Sequence, residues 1–109
     1  MNPWLSDPRV VRAEQDSFEA ERAERRARWS QARSLYRQAA DSFAAVALSV
    51  CPDHPNTRSD LAIAAVACYV RSGDTGAAVD FARRVLAEAG VTAGGREELI
   101  RLVGEAAEV

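Results

Sequence analysis

The chain has 109 residues, of which 48 % are hydrophobic and 28 % are charged, and its formal net charge is −2. This length is typical of one domain with its own core, and the composition excludes a largely disordered chain. Alanine is abundant and β-branched residues are few, which favours helices. The apolar run from Ala62 to Val70 is too short to span a bilayer, so we expect no membrane contact.

The basic residues and the cysteines indicate the origin and compartment of the protein. All fourteen basic residues are arginine, which we interpret as the product of a GC-rich, bacterial coding sequence rather than as selection for guanidinium contacts. The two cysteines, Cys51 and Cys68, follow no secretory signal, and we expect both to remain reduced in the cytoplasm. Cys68 lies in an apolar helix and is predicted to be buried.

The first half of the chain leaves two architectures open. Residues 1–7 form a lead-in whose Trp4 either packs back onto the helices or serves as a docking motif. Asp7-Pro8 favours a helix start, and no Gly or Pro follows until residue 52. A continuous helix of this length would extend about 60 Å. Either helices 8–26 and 29–50 form an antiparallel hairpin, or one long helix projects its first half from the core.

These two segments differ in apolar pattern. The first is weakly amphipathic, and its Glu21–Arg25 and Glu24–Arg28 spacings favour ion pairs along an exposed helix. The second has apolar residues at helical spacing, which predicts a core-facing side. The predicted core residues are Trp29, Ala32, Leu35 or Tyr36, Ala39, Phe43, Val46 or Ala47, and Val50.

A second hairpin is predicted after the proline-containing linker Cys51–Asn56. Thr57 is expected to cap a helix over 57–72 that is apolar almost all round and must be covered on several sides. Gly73 suits a left-handed turn, and Asp74 or Thr75 caps a helix over 75–89.

The last segment predicts one more helix. Gly90 ends the preceding helix, and Gly94-Gly95 is expected to form a loose joint. A helix over about 95–107 follows, with its apolar stripe at Leu99, Leu102, Val103 and Ala106. The predicted fold is therefore all-α, with four to five helices and no strands.

The second hairpin resembles a tetratricopeptide repeat. The residues at the family's characteristic positions are Ala62, Ala65, Val66, Tyr69, Gly73-Asp74, Ala78, Ala82 and Val85. The linker CPDHPNTRSDLA is also similar to that of the kinesin-light-chain type of this repeat. The helix over 29–50 matches the second helix of a preceding repeat, and Ala32 corresponds to Ala78 at an offset of 46. This first repeat lacks the turn glycine, since the sequence RRAR stands there.

The resemblance implies antiparallel helical hairpins within one domain over 8–109. The best repeat would be 57–90, and the helix over 95–107 would cap the array. It also implies a non-catalytic adaptor or scaffold that binds another protein or peptide. Because about three repeats are normally needed for a stable array, so short a chain is expected to bind a partner, to self-associate, or to be a compact helical bundle of repeat type.

No pattern in the sequence predicts an enzyme, a cofactor or a metal site. His54 is the single histidine, and it lies three residues after Cys51 in the linker. A catalytic Cys–His pair needs a third group that orients the base, and no residue at a suitable spacing supplies one. The resemblance implies that His54 packs within the linker.

The strongest polar feature is a run of six arginines with one glutamate, Glu24, between the first and the last, a local charge of +5. It is either a solvated face, a cradle for an acidic peptide or a contact for nucleic-acid phosphates. The net charge and the lack of neighbouring aromatics argue against nucleic acid. A small nucleic-acid-associated regulator is therefore the second candidate function, after the protein-binding adaptor or scaffold. The predicted partner-binding residues are Arg22, Arg25, Arg26, Arg33 and Arg37, together with Tyr69 beside a groove.

Overall fold

The computed structural model describes residues 3–88 and 90–107. A single 3₁₀ turn, Pro3–Ser6, precedes five helices. These are α1 (Pro8–Arg25), α2 (Trp29–Ser49), α3 (Pro55–Arg71), α4 (Thr75–Ala87) and α5 (Ala93–Ala107). The described part of the chain has no strand, so the predicted all-α fold is confirmed. None of the helices within residues 3–88 and 90–107 combines the length and the apolarity needed to cross a bilayer.

The first half of the chain is a hairpin and not one long helix. The α1 helix ends at Arg25, and Ala27 takes a left-handed conformation with φ of 57°. The amide of Arg28 donates to the carbonyl of Ala23 at 2.9 Å, which closes the turn before α2 begins. The reversed chain then packs α1 along α2.

The helices form two layers. Each helix packs on the next in the chain, and α3 also contacts α5. The molecule measures 41 × 34 × 17 Å, and its thinnest dimension fits two helices stacked on each other. Because α3 contacts α2, α4 and α5, its apolar residues are covered on several sides, and Cys68 is buried among them.

The core is built from small residues with a few larger ones. Many alanines are fully buried on α1, α2 and α3, which lets these helices approach closely. The predicted core residues of α2 are buried with one exception, and of the alternatives Leu35 and Tyr36 it is Tyr36 that is buried. Trp29 is 56 % exposed, and its assignment to the core was wrong because this first residue of α2 lies in a surface depression beside charged side chains of α1 and α3.

Two predicted helix starts are also wrong, because proline and threonine supply starts that lie earlier in the chain. The α3 helix begins at Pro55 rather than Thr57, since proline fits the first turn. The α5 helix begins at Ala93, and the hydroxyl of Thr92 accepts from the amide of Gly95 at 2.9 Å. Gly94-Gly95 is therefore not a loose joint but part of the first helical turn.

Arg58 connects three segments at the end of the molecule where the linker Cys51–Asn56 lies. Its side chain is 4 % exposed, donates to the carbonyl of Val50 at 2.9 Å and pairs with Glu88. These contacts hold the linker and the end of α4 to α3. Trp4 packs back onto this end, with its ring 4.7 Å from that of His54. Trp4 and His54 thus pack against each other at the linker.

Candidate interaction surface

The arginine-rich run is divided between two helices. Because the chain turns at Ala27, Arg22 and Arg26 belong to the end of α1, whereas Arg33 and Arg37 belong to α2. The single stripe that a continuous helix would present is therefore not formed. The ends of α1 and α3 and the starts of α2 and α4 lie at the same end of the molecule. Contacts between Arg71 and Tyr36, and between Arg37 and Asp74, join them.

Two of the predicted partner-binding residues are engaged with each other. The guanidinium of Arg37 lies 5.3 Å from the ring centre of Tyr69 and pairs with Asp41 and Asp74. The Tyr69 hydroxyl donates to Asp41 at 2.7 Å. Burial and this hydrogen bond raise the pKa of Tyr69 to about 12. Tyr69 is only 8 % exposed, and its hydroxyl and ring form contacts between helices.

A second tyrosine cluster joins α1, α2 and α3. The Tyr36 hydroxyl donates to Glu24, and the guanidinium of Arg71 lies 5.5 Å from the Tyr36 ring centre. Arg71 also pairs with Glu21 at 3.5 Å. Burial, together with the bond to Glu24, raises the pKa of Tyr36 to about 12. Both glutamates are thus turned toward other helices, and the predicted Glu21–Arg25 and Glu24–Arg28 pairs do not form.

This arrangement leaves several guanidinium groups without a carboxylate. We name one exposed cluster the basic tip; it consists of Arg25, Arg26, Arg28, Trp29 and Arg33. Within the described part of the chain, no carboxylate oxygen lies within 4 Å of any of its four arginines. Arg22 lies just outside the tip and pairs with Glu19 at 3.4 Å. The basic tip therefore presents four uncompensated positive charges to solvent.

Trp29 adds a large apolar group to this charged surface. Its indole lines a shallow depression with Arg25, Arg71, Glu21 and Glu24. A half-exposed tryptophan beside free guanidinium groups has the composition that protein interfaces favour, since Trp and Arg dominate their binding energy. The sequence did not indicate that Trp29 is a surface residue, because its helical spacing is that of a core residue. The adjacent RRAR turn was the signal that it stands at a helix start.

A second exposed apolar feature lies on α1. Val11 and Phe18 are 43 % and 57 % exposed, and their separation of seven residues places them on one side of the helix. Glu14 and Gln15 lie between them and line the same open depression. Val10, Ala13 and Ala20 are buried on the opposite side, against the rest of the bundle. The sequence of this segment predicts only a weakly amphipathic helix, although the spacing of seven between Val11 and Phe18 can be seen in it.

Among residues 3–88 and 90–107, no three His, Cys, Asp or Glu side chains are grouped so as to hold a metal ion. Cys51 is exposed, and the buried Cys68 thiol has a raised pKa because burial disfavours the thiolate. No family model, curated protein or solved structure matches the chain.

Proposed function

We propose that the protein is a non-catalytic interaction module with tetratricopeptide-like hairpins, and that the basic tip binds an acidic segment of a partner protein. The observation that carries this proposal is the exposed Trp29 beside four arginines that lack carboxylate partners. Guanidinium groups bind carboxylates through paired, charge-assisted hydrogen bonds. The indole supplies apolar contact at the same place, so a partner with acidic and apolar residues fits best.

The rigidity of this end of the molecule supports the proposal. The turn at Ala27 is closed by backbone hydrogen bonds, and the tyrosine clusters join all four helices that end or begin there. A preformed surface loses little conformational freedom on binding, which improves affinity for a given set of contacts. The unpaired cysteines fit a reducing compartment, and we propose a bacterial cytoplasm as the location.

Site-specific crosslinking in the native host tests this function. A photoreactive phenylalanine analogue at Trp29 should capture a partner protein. The same analogue at Ile100, which is also 56 % exposed, is the matched control and should not capture it. Equal capture at the two positions would contradict the proposal.

The captured partner then allows a charge test with purified proteins. Arg25→Glu with Arg26→Glu should weaken its binding about tenfold or more, because two interface guanidinium groups are lost. Arg12→Glu with Arg83→Glu reverses two exposed arginines away from the tip and should leave binding unchanged. An equal loss in both variants would show a general charge effect instead of a site.

The alternative is a nucleic-acid-associated regulator, and the exposure of Trp29 favours it in one respect. An indole beside Arg25 could stack on an unpaired base while the guanidinium contacts the phosphate. This function requires salt-dependent retention of single- or double-stranded nucleic acid that Arg26→Glu with Arg33→Glu abolishes. We expect no retention at physiological salt, and its observation would favour the regulator.

A further inference from the structure

The side of α1 that faces away from the bundle carries an apolar centre with charges on either side. We name this surface the outer face; it consists of Val11, Glu14, Gln15, Phe18 and Arg22. Phe18 is more than half exposed near the middle of α1, and its ring is the largest apolar group of this face. No other helix of the described chain buries it. Exposed aromatic side chains on an outward helical face are typical of contacts with another chain.

The charges on the outer face are ordered along the helix. Glu14 lies four residues before Phe18, and Arg22 lies four residues after it. Residues four apart lie on the same side of a helix, so the three side chains follow one line. Glu14 has no cationic partner within 4 Å in the described chain. Arg22 makes one exposed contact, to Glu19 at 3.4 Å.

We propose that the outer face binds the outer face of a second copy of this chain, with the two α1 helices antiparallel and Phe18 at the two-fold axis. In this arrangement a residue before Phe18 meets the residue equally far after Phe18 of the other copy. Glu14 therefore meets Arg22, twice in the dimer, and the two Phe18 rings meet at the centre. A parallel arrangement would instead place glutamate on glutamate and arginine on arginine.

The size of the contact sets its strength. The eighteen residues of α1 extend about 27 Å, so the pair of helices buries less area than the roughly 1,200 Å² of a stable interface. The dimer is therefore weak and reversible, with monomer present at low concentration. None of the five residues of the outer face belongs to the basic tip, although the antiparallel pairing also brings Arg25 of the tip opposite Val11. The inference therefore goes beyond the proposed function, and Phe18→Ala tests it without altering the tip.

Sedimentation equilibrium over a wide concentration range tests the dimer. The wild-type chain should show a reversible equilibrium between monomer and dimer. Phe18→Ala should weaken it about tenfold or more, whereas Ile100→Ala, which truncates an equally exposed residue of α5, should not. A wild-type chain that stays monomeric at millimolar concentration overturns the proposal, as does an equal effect of the two substitutions.

Charge exchange tests the antiparallel orientation. Glu14→Arg and Arg22→Glu should each weaken the dimer, and the variant that carries both should recover it, because both ion pairs are re-formed with their partners exchanged. Mixing the two single variants should also give a heterodimer in native mass spectrometry. Failure of both recoveries, with the helical circular dichroism unchanged, overturns the antiparallel pairing. Crosslinking at Trp29 is a separate readout, so its outcome judges the proposed function alone.

Discussion

The turn between α1 and α2 and the turn between α3 and α4 have the same backbone hydrogen bonds but different residues. Arg28 donates its amide to the carbonyl of Ala23 at 2.9 Å, and Asp74 donates to Tyr69 at 3.1 Å, in each case five residues back. The residue before each donor is left-handed, with φ of 57° at Ala27 and 84° at Gly73. Corresponding residues are 46 apart, the offset that the alanine pattern indicated.

The polar residues of the two turns have different roles. Asp74 caps α4 by accepting from the amide of Ala77 at 2.9 Å, and it also pairs with Arg37. Arg28 stands at the cap of α2 and makes no capping hydrogen bond through its side chain. The second turn thus uses its polar groups to stabilise the fold, whereas the first leaves its arginines to solvent. The same backbone can therefore carry a structural turn or a charged surface.

Alkaline pH should have the largest effect on the two hairpins. The chain has two tyrosines, and the pKa of each is raised to about 12 by burial and a carboxylate partner. An unfolded tyrosine has a pKa of about 10, so the stabilisation is complete below that pH and is lost as the pH rises toward 12. We expect a loss of about 1 kcal/mol per tyrosine at about pH 11.

Denaturant unfolding at about pH 9 and 11 measures this loss. Tyr36→Phe with Tyr69→Phe should remove the part of the pH dependence that the tyrosines contribute and leave the part due to the buried Cys68 thiol, whose pKa is also raised. The single substitutions show whether the two clusters contribute equally. Tyrosinate absorbance in the folded protein that develops near the ordinary pKa would contradict the clusters as described.

Exchange of the caps should have the next largest effect. Asp74→Ala should destabilise the protein by about 1 to 2 kcal/mol, because it removes the α4 cap. Arg28→Asp should stabilise it by up to about 1 kcal/mol, because it supplies the cap that α2 lacks. Chemical denaturation of both variants measures the two changes. Asn in place of Asp74 keeps a capping oxygen without the charge, and a loss as large as that of alanine would assign the effect to the Arg37 ion pair.

The left-handed residues should give the smallest effects, with opposite signs. Ala27→Gly should stabilise the protein by about 0.5 to 1 kcal/mol because it relieves the left-handed alanine. Gly73→Ala should destabilise it by about 1 kcal/mol through backbone strain. A steric clash should not add to this loss, because the added carbon would lie 3.6 Å from Arg33, an ordinary contact. Thermal unfolding compares the two variants, and equal signs would show that the turns are not equivalent.

Local signals were sufficient for most of the helices. Asp7 caps α1, Gly73 is left-handed and Asp74 caps α4, as their positions predicted. Each depends on the residue's own conformational preference or on a hydrogen bond within one turn. The helix starts at Pro55 and Ala93 were missed because Thr57 and the pair Gly94-Gly95 are ambiguous signals of a helix boundary. Neighbouring residues can move the start of the helix past such signals.

The surface was less predictable because the contacts that occupy a charged side chain come from distant parts of the chain. Arg37 is a predicted binding residue, and the packed helices pair it with Asp74 from the other hairpin. Arg25 lies four residues after Glu21, a spacing that favours an ion pair, yet Glu21 pairs with Arg71, which lies fifty residues away in the sequence. Trp29 has the spacing of a core residue, yet it is 56 % exposed in a surface depression that α1 and α3 also line.

The sequence by itself determined that the chain is all-α, where most helices lie and which residue reverses the second turn. Helical spacing, caps and glycine are local properties, so they can be recognised without the fold. The tertiary structure decided that the first half is a hairpin, because an alanine takes the left-handed turn only when the packing of α1 on α2 compensates its strain. It also decided which arginines remain free, since the packed helices bring Arg71 to Glu21 and Tyr36 to Glu24, and neither glutamate pairs with an arginine of the tip.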